Sequence, residues 1–219
     1  MSRPFSRRTR GVRARALLAV VAVLVGTTLV ACTPSKAGSA AIVADSSLPE
    51  NTLTSLAQEV SDVATGAQIP VPEADALNQR VVAVWVDEQL TQALADELQL
   101  TATQTDVDNL LGQFAGDQLT QIQVSSGIAP SMLSDAARAA VLRQQIAQRL
   151  APGAPADQQT ATLAKAYRDI AAKVGVSVNP RFGSWNPETA QVDASSDVLS
   201  RPAEPPAAPG GVPVLPQQG

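Results

Sequence analysis

Histidine is absent from the 219-residue chain. The commonest general base and the commonest metal ligand are thereby removed together, which excludes histidine-based triads and zinc sites with histidine ligands. Cys32 is the only cysteine, so no intramolecular disulfide and no four-cysteine metal site can form. No glycine-rich phosphate loop is present. Aromatic residues are few, with Trp85, Phe114, Tyr167, Phe182 and Trp185 accounting for all of them beyond Phe5. Long apolar runs are also scarce: the longest, Ala16 to Val25, is interrupted by Gly26, Thr27 and Thr28 and falls short of the roughly 20 residues that span a bilayer.

That run sits in a characteristic setting. Arg3, Arg7, Arg8, Arg10, Arg13 and Arg15 precede it and small residues follow it up to Cys32, the charged, apolar and small-residue order of a secretory signal peptide. Leu29-Val30-Ala31-Cys32 has the lipobox pattern, with leucine three places before a cysteine whose thiol receives a diacylglyceryl group. Residues 1–31 are thus expected to be a lipoprotein signal peptide, and Cys32 the lipid-attachment residue that holds the protein to the extracytoplasmic face of the cell membrane. A signal-anchor helix with Cys32 as a bystander is the alternative. Arg7-Arg8 also admits twin-arginine export, although Thr9-Arg10-Gly11 after the pair is not the apolar sequence that signal favours.

From Cys32 onward Lys plus Arg falls from 16 to 10 while Asp plus Glu stays at 20, and the formal balance moves from −4 to −10. So acidic a surface argues against nucleic acid and anionic headgroups as partners. It favours basic partners weakly, and otherwise describes a soluble, self-repelling surface.

Residues 32–40 read as the lipidated cysteine and a short tether. Ala41-Ile42-Val43-Ala44 is too short for a helix and β-branched enough for a strand, and Asp45-Ser46-Ser47 reads as a turn. Pro49-Glu50 suits the first turn of a helix that carries Leu53, Leu56, Val60 and Val63 on one face and ends near Gly66. After Ile69-Pro70-Val71-Pro72 comes the longest helix, to Leu98. Its apolar residues Leu77, Val81, Val82, Val84, Trp85, Leu90, Leu94 and Leu98 spread around more than one face, as expected of a central strut packed on several sides. A third helix from Thr105-Asp106 contains Val107, Leu110, Leu111, Phe114, Leu119 and Ile122, weakened by Gly112 and Gly116. A fourth over 131–150 places Leu133, Ala136, Ala137, Ala140, Val141, Ile146 and Leu150 inward. The fifth, 157–174, has Leu163, Tyr167, Ile170 and Val174 in register and closes at Gly175. Val176-Ser177-Val178 is a short strand, and Phe182-Gly183-Ser184-Trp185 a second extended piece. The fold class is therefore mainly α over 41–192, about five helices closed by pairing of the N- and C-terminal strands. Residues 193–219, rich in proline, read as a disordered tail.

The lipobox, the Ala41-Ile42-Val43 strand, the helical body and the closing Val176-Ser177-Val178-Asn179-Pro180-Arg181-Phe182-Gly183-Ser184-Trp185 together resemble the SurA N-terminal-like lipoproteins of actinobacteria. That group is related in fold to the chaperone modules of SurA, PrsA and, more distantly, trigger factor. In SurA and PrsA a parvulin domain interrupts the module, whereas here only Ala151 to Ala156 join the fourth and fifth helices. The resemblance implies a chaperone-like holdase module without prolyl isomerase activity, with unfolded or secreted polypeptides as partners and no cofactor or metal. Trp85, Phe182 and Trp185 are the candidate peptide-binding aromatics, while Phe114 and Tyr167 sit on clean stripes and read as core. A non-catalytic scaffold for one membrane- or wall-associated partner is the alternative function.

Enzymatic readings fare worse. Ser35-Lys36 lies in the tether, where nothing holds a dyad in geometry. Asp87-Glu88 and Asp96-Glu97 are neighbours on a helix and read as solvated faces rather than paired catalytic acids. Asp106-Val107-Asp108 lacks the glycine and the later acid of a calcium loop. The chain is not expected to be an enzyme.

Overall fold

The computed structural model describes residues 38–194. Cys32, the residues read as a signal peptide and almost all of the proline-rich tail lie outside the described residues. In order, the elements are strands β1 (Ser39–Val43) and β2 (Ser46–Pro49), helices α1 (Glu50–Gly66), α2 (Ala74–Glu97), α3 (Gln104–Leu111) and α4 (Gly116–Ser126), a single 3-10 turn (Pro130–Met132), helices α5 (Leu133–Leu150) and α6 (Ala156–Val174), and strands β3 (Val176–Val178), β4 (Ser184–Asn186) and β5 (Gln191–Asp193). The mainly α class stands. Among the described residues no helix is long and apolar enough to cross a membrane.

α2 is the strut that its sequence announces. Buried residues occur as neighbours along it, Val81 with Val82, Leu90 with Thr91 and Leu94 with Ala95, which no single-faced helix would allow. The physical reason is its surroundings: α1, α5, α6 and strands β1 and β5 all pack on it. Leu90, Val81 and Val82 are fully buried at the centre of a core that also takes Leu53 and Val60 from α1, Ile146 from α5 and Ile170 from α6.

The terminal strands do pair. β1 lies antiparallel to β3, with Ala41 opposite Val178 and Val43 opposite Val176. The main-chain N–H of Asn179 continues the ladder by donating to the Ala40 carbonyl at 2.9 Å. A strand from residues near 40 and another from residues near 177 thus close the helical body at one edge.

Three expectations need correction. Asp45-Ser46-Ser47 is not a turn: the chain reverses at Ala44 (φ 50°) and Asp45, and Ser46–Pro49 returns as β2 against β1. Two-residue hairpin loops need positive φ and usually show Asn-Gly or Asp-Gly, so Ala-Asp carried no signal. The third helix is two helices, which makes six among the described residues. Ala115 is extended (ψ 153°) and begins α4, and the pieces have different partners, α3 packing on α5 and α4 on α1 and α2. Two glycines, each costing about 1 kcal/mol relative to alanine in a helix, leave the junction too weak to run straight. Phe114 consequently falls in the break, half-buried and apart from the core cluster. Finally, the extended piece at Trp185 is one arm of a hairpin. β4 pairs with β5, which runs through Asp193 and so reaches into the stretch read as tail.

Candidate functional site

α5 faces α2 with small side chains. Ala136, Ala139 and Ala140 lie where leucines would have filled the gap, and the buried residues of α5 are Ala137, Ala139, Leu142 and Ile146, of which helical spacing gave Ala137 and Ile146 but not Ala139 or Leu142. The missing volume is a cleft of about 520 Å³ between α2, α5 and the β4–β5 hairpin. Val84 and Val86 form its α2 wall, Trp185 and Val192 its hairpin wall, and Asp87, Glu88 and Arg143 supply its charge.

The hairpin is held over the cleft by the closing segment. Asn179 Nδ2 and Arg181 Nη1 both reach Glu50 in the first turn of α1, at 3.2 and 3.3 Å, and the Phe182 N–H donates to the Asn179 carbonyl at 2.8 Å. The Arg181 guanidinium stands 5.3 Å from the Phe182 ring centre, within cation–π range. Gly183 has φ +139°, and a Cβ there would come within 2.7 Å of Val192 and 2.8 Å of the Asp193 carbonyl. Only glycine lets β4 lie this close to β5. Asn179, Arg181 and Gly183 thus fix where Trp185 sits.

Of the aromatics proposed from sequence, Trp185 lines the 520 Å³ cleft, whereas Trp85 lines a second cavity of about 340 Å³, between α2, the 3-10 turn and α5. Phe182 lines neither and packs against the core. All three are half-buried, and the structure does not gather them into one surface. Tyr167 is core, as its spacing suggested, with a polar addition. Its hydroxyl meets Thr91 Oγ1 at 2.5 Å and accepts from Arg143 Nε at 3.4 Å, while Arg143 also pairs with Asp87. Burial lifts the Tyr167 pKa above the ordinary phenol range, so it is a neutral hydrogen-bonding group. The Asp87 and Arg143 side chains remain 42% and 39% exposed, so their pairing contributes at most about 1 kcal/mol.

Asp87-Glu88 is accordingly not a solvated face. Asp96 and Glu97 are exposed as expected, whereas Asp87 and Glu88 are only partly exposed, and Glu88 lines both cavities. Its Oε1 is buried with no hydrogen-bond partner. Burial first, then the nearby carboxylates of Asp135 and Asp87, push its pKa from 4.5 up to about 8. At neutral pH Glu88 is mostly a protonated carboxyl. The nearby cations are committed elsewhere: Arg143 to Asp87, and Arg138 to the Ala102 carbonyl and Gln104 Oε1 at 3.0 and 3.3 Å. No sequence signal distinguishes Glu88 from its exposed counterpart Glu97.

Asp106 has a local task. It accepts from the Thr103 N–H at 2.9 Å while Thr103 Oγ1 accepts from the Asp106 N–H at 3.2 Å, a capping box that starts α3. Among the described residues no group of three or more acids and cysteines is placed to hold a metal ion.

The fold and site define a mainly helical domain whose long central helix and hairpin enclose a mixed apolar and charged cleft. No protein-family model matches the chain, and no curated protein or solved structure matches it either.

Proposed function

We propose that the chain is a lipid-anchored extracytoplasmic protein whose helical domain holds segments of unfolded or secreted polypeptides, without prolyl isomerase activity. The observation that carries this reading is the cleft between α2, α5 and the β4–β5 hairpin, where Trp185 and valine walls face hydrogen-bonding groups. Such a surface suits an extended peptide, which brings apolar side chains and an unsatisfied main chain together. The lipobox and the closing segment, through their likeness to the SurA N-terminal-like lipoproteins, support the same reading.

A fixed scaffold for one membrane- or wall-associated partner is the second reading, and one observation favours it. Among the described residues Val71 is the only large apolar side chain that is exposed, so no broad apolar face lies open to many clients.

Dilution of a chemically unfolded, aggregation-prone protein into the chain from Lys36 to Gly219, which contains all the described residues, separates the two. Suppressed light scattering at near-stoichiometric ratios is the expected result, with Trp185→Ala weakening it several-fold while the helical circular dichroism is kept. Unchanged scattering with folded protein overturns the holdase reading and leaves the dedicated partner, to be sought by crosslinking in cells. For the anchor, Cys32→Ser is expected to abolish palmitate incorporation and move the protein from the membrane fraction to the soluble one. Retention in the membrane with no lipid label would establish the signal-anchor alternative.

A further inference from the structure

The large cleft carries one ionisable side chain without a counter-ion, Glu88. Asp87 from α2 is matched by Arg143 from α5. Asp135 and Arg138, also from α5, line the cavity on the other side of Glu88, and the Arg138 guanidinium is held at its far end by Ala102 and Gln104. The hairpin wall brings Trp185 and Gln191 but no titratable side chain, and α4 contributes only Ser126. On the 3-10 turn, the Ser131 N–H takes up Glu59 of α1 at 3.0 Å. Glu88 is what remains: a carboxyl with a buried, unpartnered oxygen on the wall of a cleft open to a guest.

Local charge tells which guest fits. Arg143 is ion-paired with Asp87, and by formal count Arg138 offsets Asp135 without pairing with it, so an ionised Glu88 is the unmatched charge of the site. A neutral guest with an N–H or O–H can also donate to Glu88, but only a cationic donor offsets the charge of the ionised carboxylate. A cationic guest provides the missing partner: the Glu88 O–H gives up its proton to solvent, the carboxylate accepts hydrogen bonds from the guest, and overall charge in the cleft is unchanged. Trp185 on the opposite wall offers an aromatic ring suited to an alkyl-ammonium or guanidinium group. The domain as a whole has 18 acids and 8 basic residues over 38–194, which draws basic segments toward it.

We propose that the cleft between α2, α5 and the β4–β5 hairpin takes one lysine or arginine side chain of a bound polypeptide, with Glu88 as its counter-ion. The inference rests on the peptide-binding reading above and specifies what that cleft selects.

Two acetylated and amidated peptides test it, Ala-Leu-Ala-Lys-Ala-Leu-Ala and the same sequence with norleucine replacing lysine, titrated calorimetrically into the chain from Lys36 to Gly219. The lysine peptide is expected to bind about tenfold more tightly, as a charge-assisted hydrogen bond at a partly buried site provides. At pH 7, buffers of different ionisation heat are expected to reveal release of most of one proton on binding of the lysine peptide and none for norleucine. Glu88→Gln is expected to erase both the preference and the proton release while keeping the helical circular dichroism. Equal binding of the two peptides by the unmodified chain overturns the inference and leaves peptide binding in place, as does a preference that survives Glu88→Gln. Binding of neither peptide overturns the inference and counts against the peptide-holding reading, which the light-scattering assay judges separately.

Discussion

Gly127→Ala is expected to destabilise the domain by about 2–4 kcal/mol. Gly127 ends α4 in the left-handed region at φ +75°, where an L side chain costs about 1 kcal/mol or more. The larger part is steric. An added Cβ would stand 2.7 Å from the Arg80 Cβ and 3.1 Å from the main-chain nitrogen of Val81. Those atoms are a Cβ and the main chain of α2, and cannot move aside as the end of a flexible side chain would. The turn also delivers Ile128 to the wall of the large cleft, so the variant is expected to disturb that wall as well. Urea denaturation measures the effect, and a loss below about 1 kcal/mol would show that α4 and α2 can separate there at little cost.

Glu88→Gln is expected to remove a pH dependence of stability and to leave the variant more stable than the parent at alkaline pH. The sign follows from proton binding. Unfolded, Glu88 titrates near 4.5, and folded it titrates near 8. Between those values the folded state holds a proton that the unfolded state has lost, so stability falls as pH rises from about 4.5 to 8 and levels off beyond. Each tenfold change in proton affinity is worth about 1.4 kcal/mol. With relaxation and the exposure that Glu88 retains, the gain for the variant at pH 9 is expected to be about 2–3 kcal/mol. Asp106 works in the opposite direction and at lower pH, because its hydrogen bonds with Thr103 hold its pKa below the usual carboxylate value. Its contribution is lost only in acid. Denaturation at pH 5, 7 and 9, where the Asp106 contribution is constant, reads Glu88, and parallel curves for parent and variant would refute the buried-carboxyl assignment.

Much of the architecture was legible in the residues. α1, α2, α5 and α6 follow from apolar periodicity with proline and glycine at their ends. The β1–β3 closure follows from two short β-branched runs that have no other use. The signals failed where structure depends on backbone conformation without the usual residues, as at the Ala44-Asp45 reversal, or on which partner each half of a segment finds, as in α3 and α4. The closing segment from Asn179 to Trp185 was conspicuous in the sequence, but its part was not. Asn179 and Arg181 hold Glu50, 129 and 131 residues away, and Gly183 accommodates a strand still to come.

The site shows the same division. The residues counted or read in order ruled out histidine chemistry and an intramolecular disulfide, set the acidic balance, and gave the pattern around Cys32 that suggests lipid attachment. Tertiary structure alone separated Trp85 from Trp185, opened the cleft where α5 presents alanines to α2, and made Glu88 unlike Glu97. Both glutamates follow an aspartate on the same helix, and local sequence treats them alike. Proton affinity, however, depends on how much water and which charges surround a carboxyl. Around Glu88 those are decided by α5, some 50 residues further along the chain, and by a hairpin that closes later still.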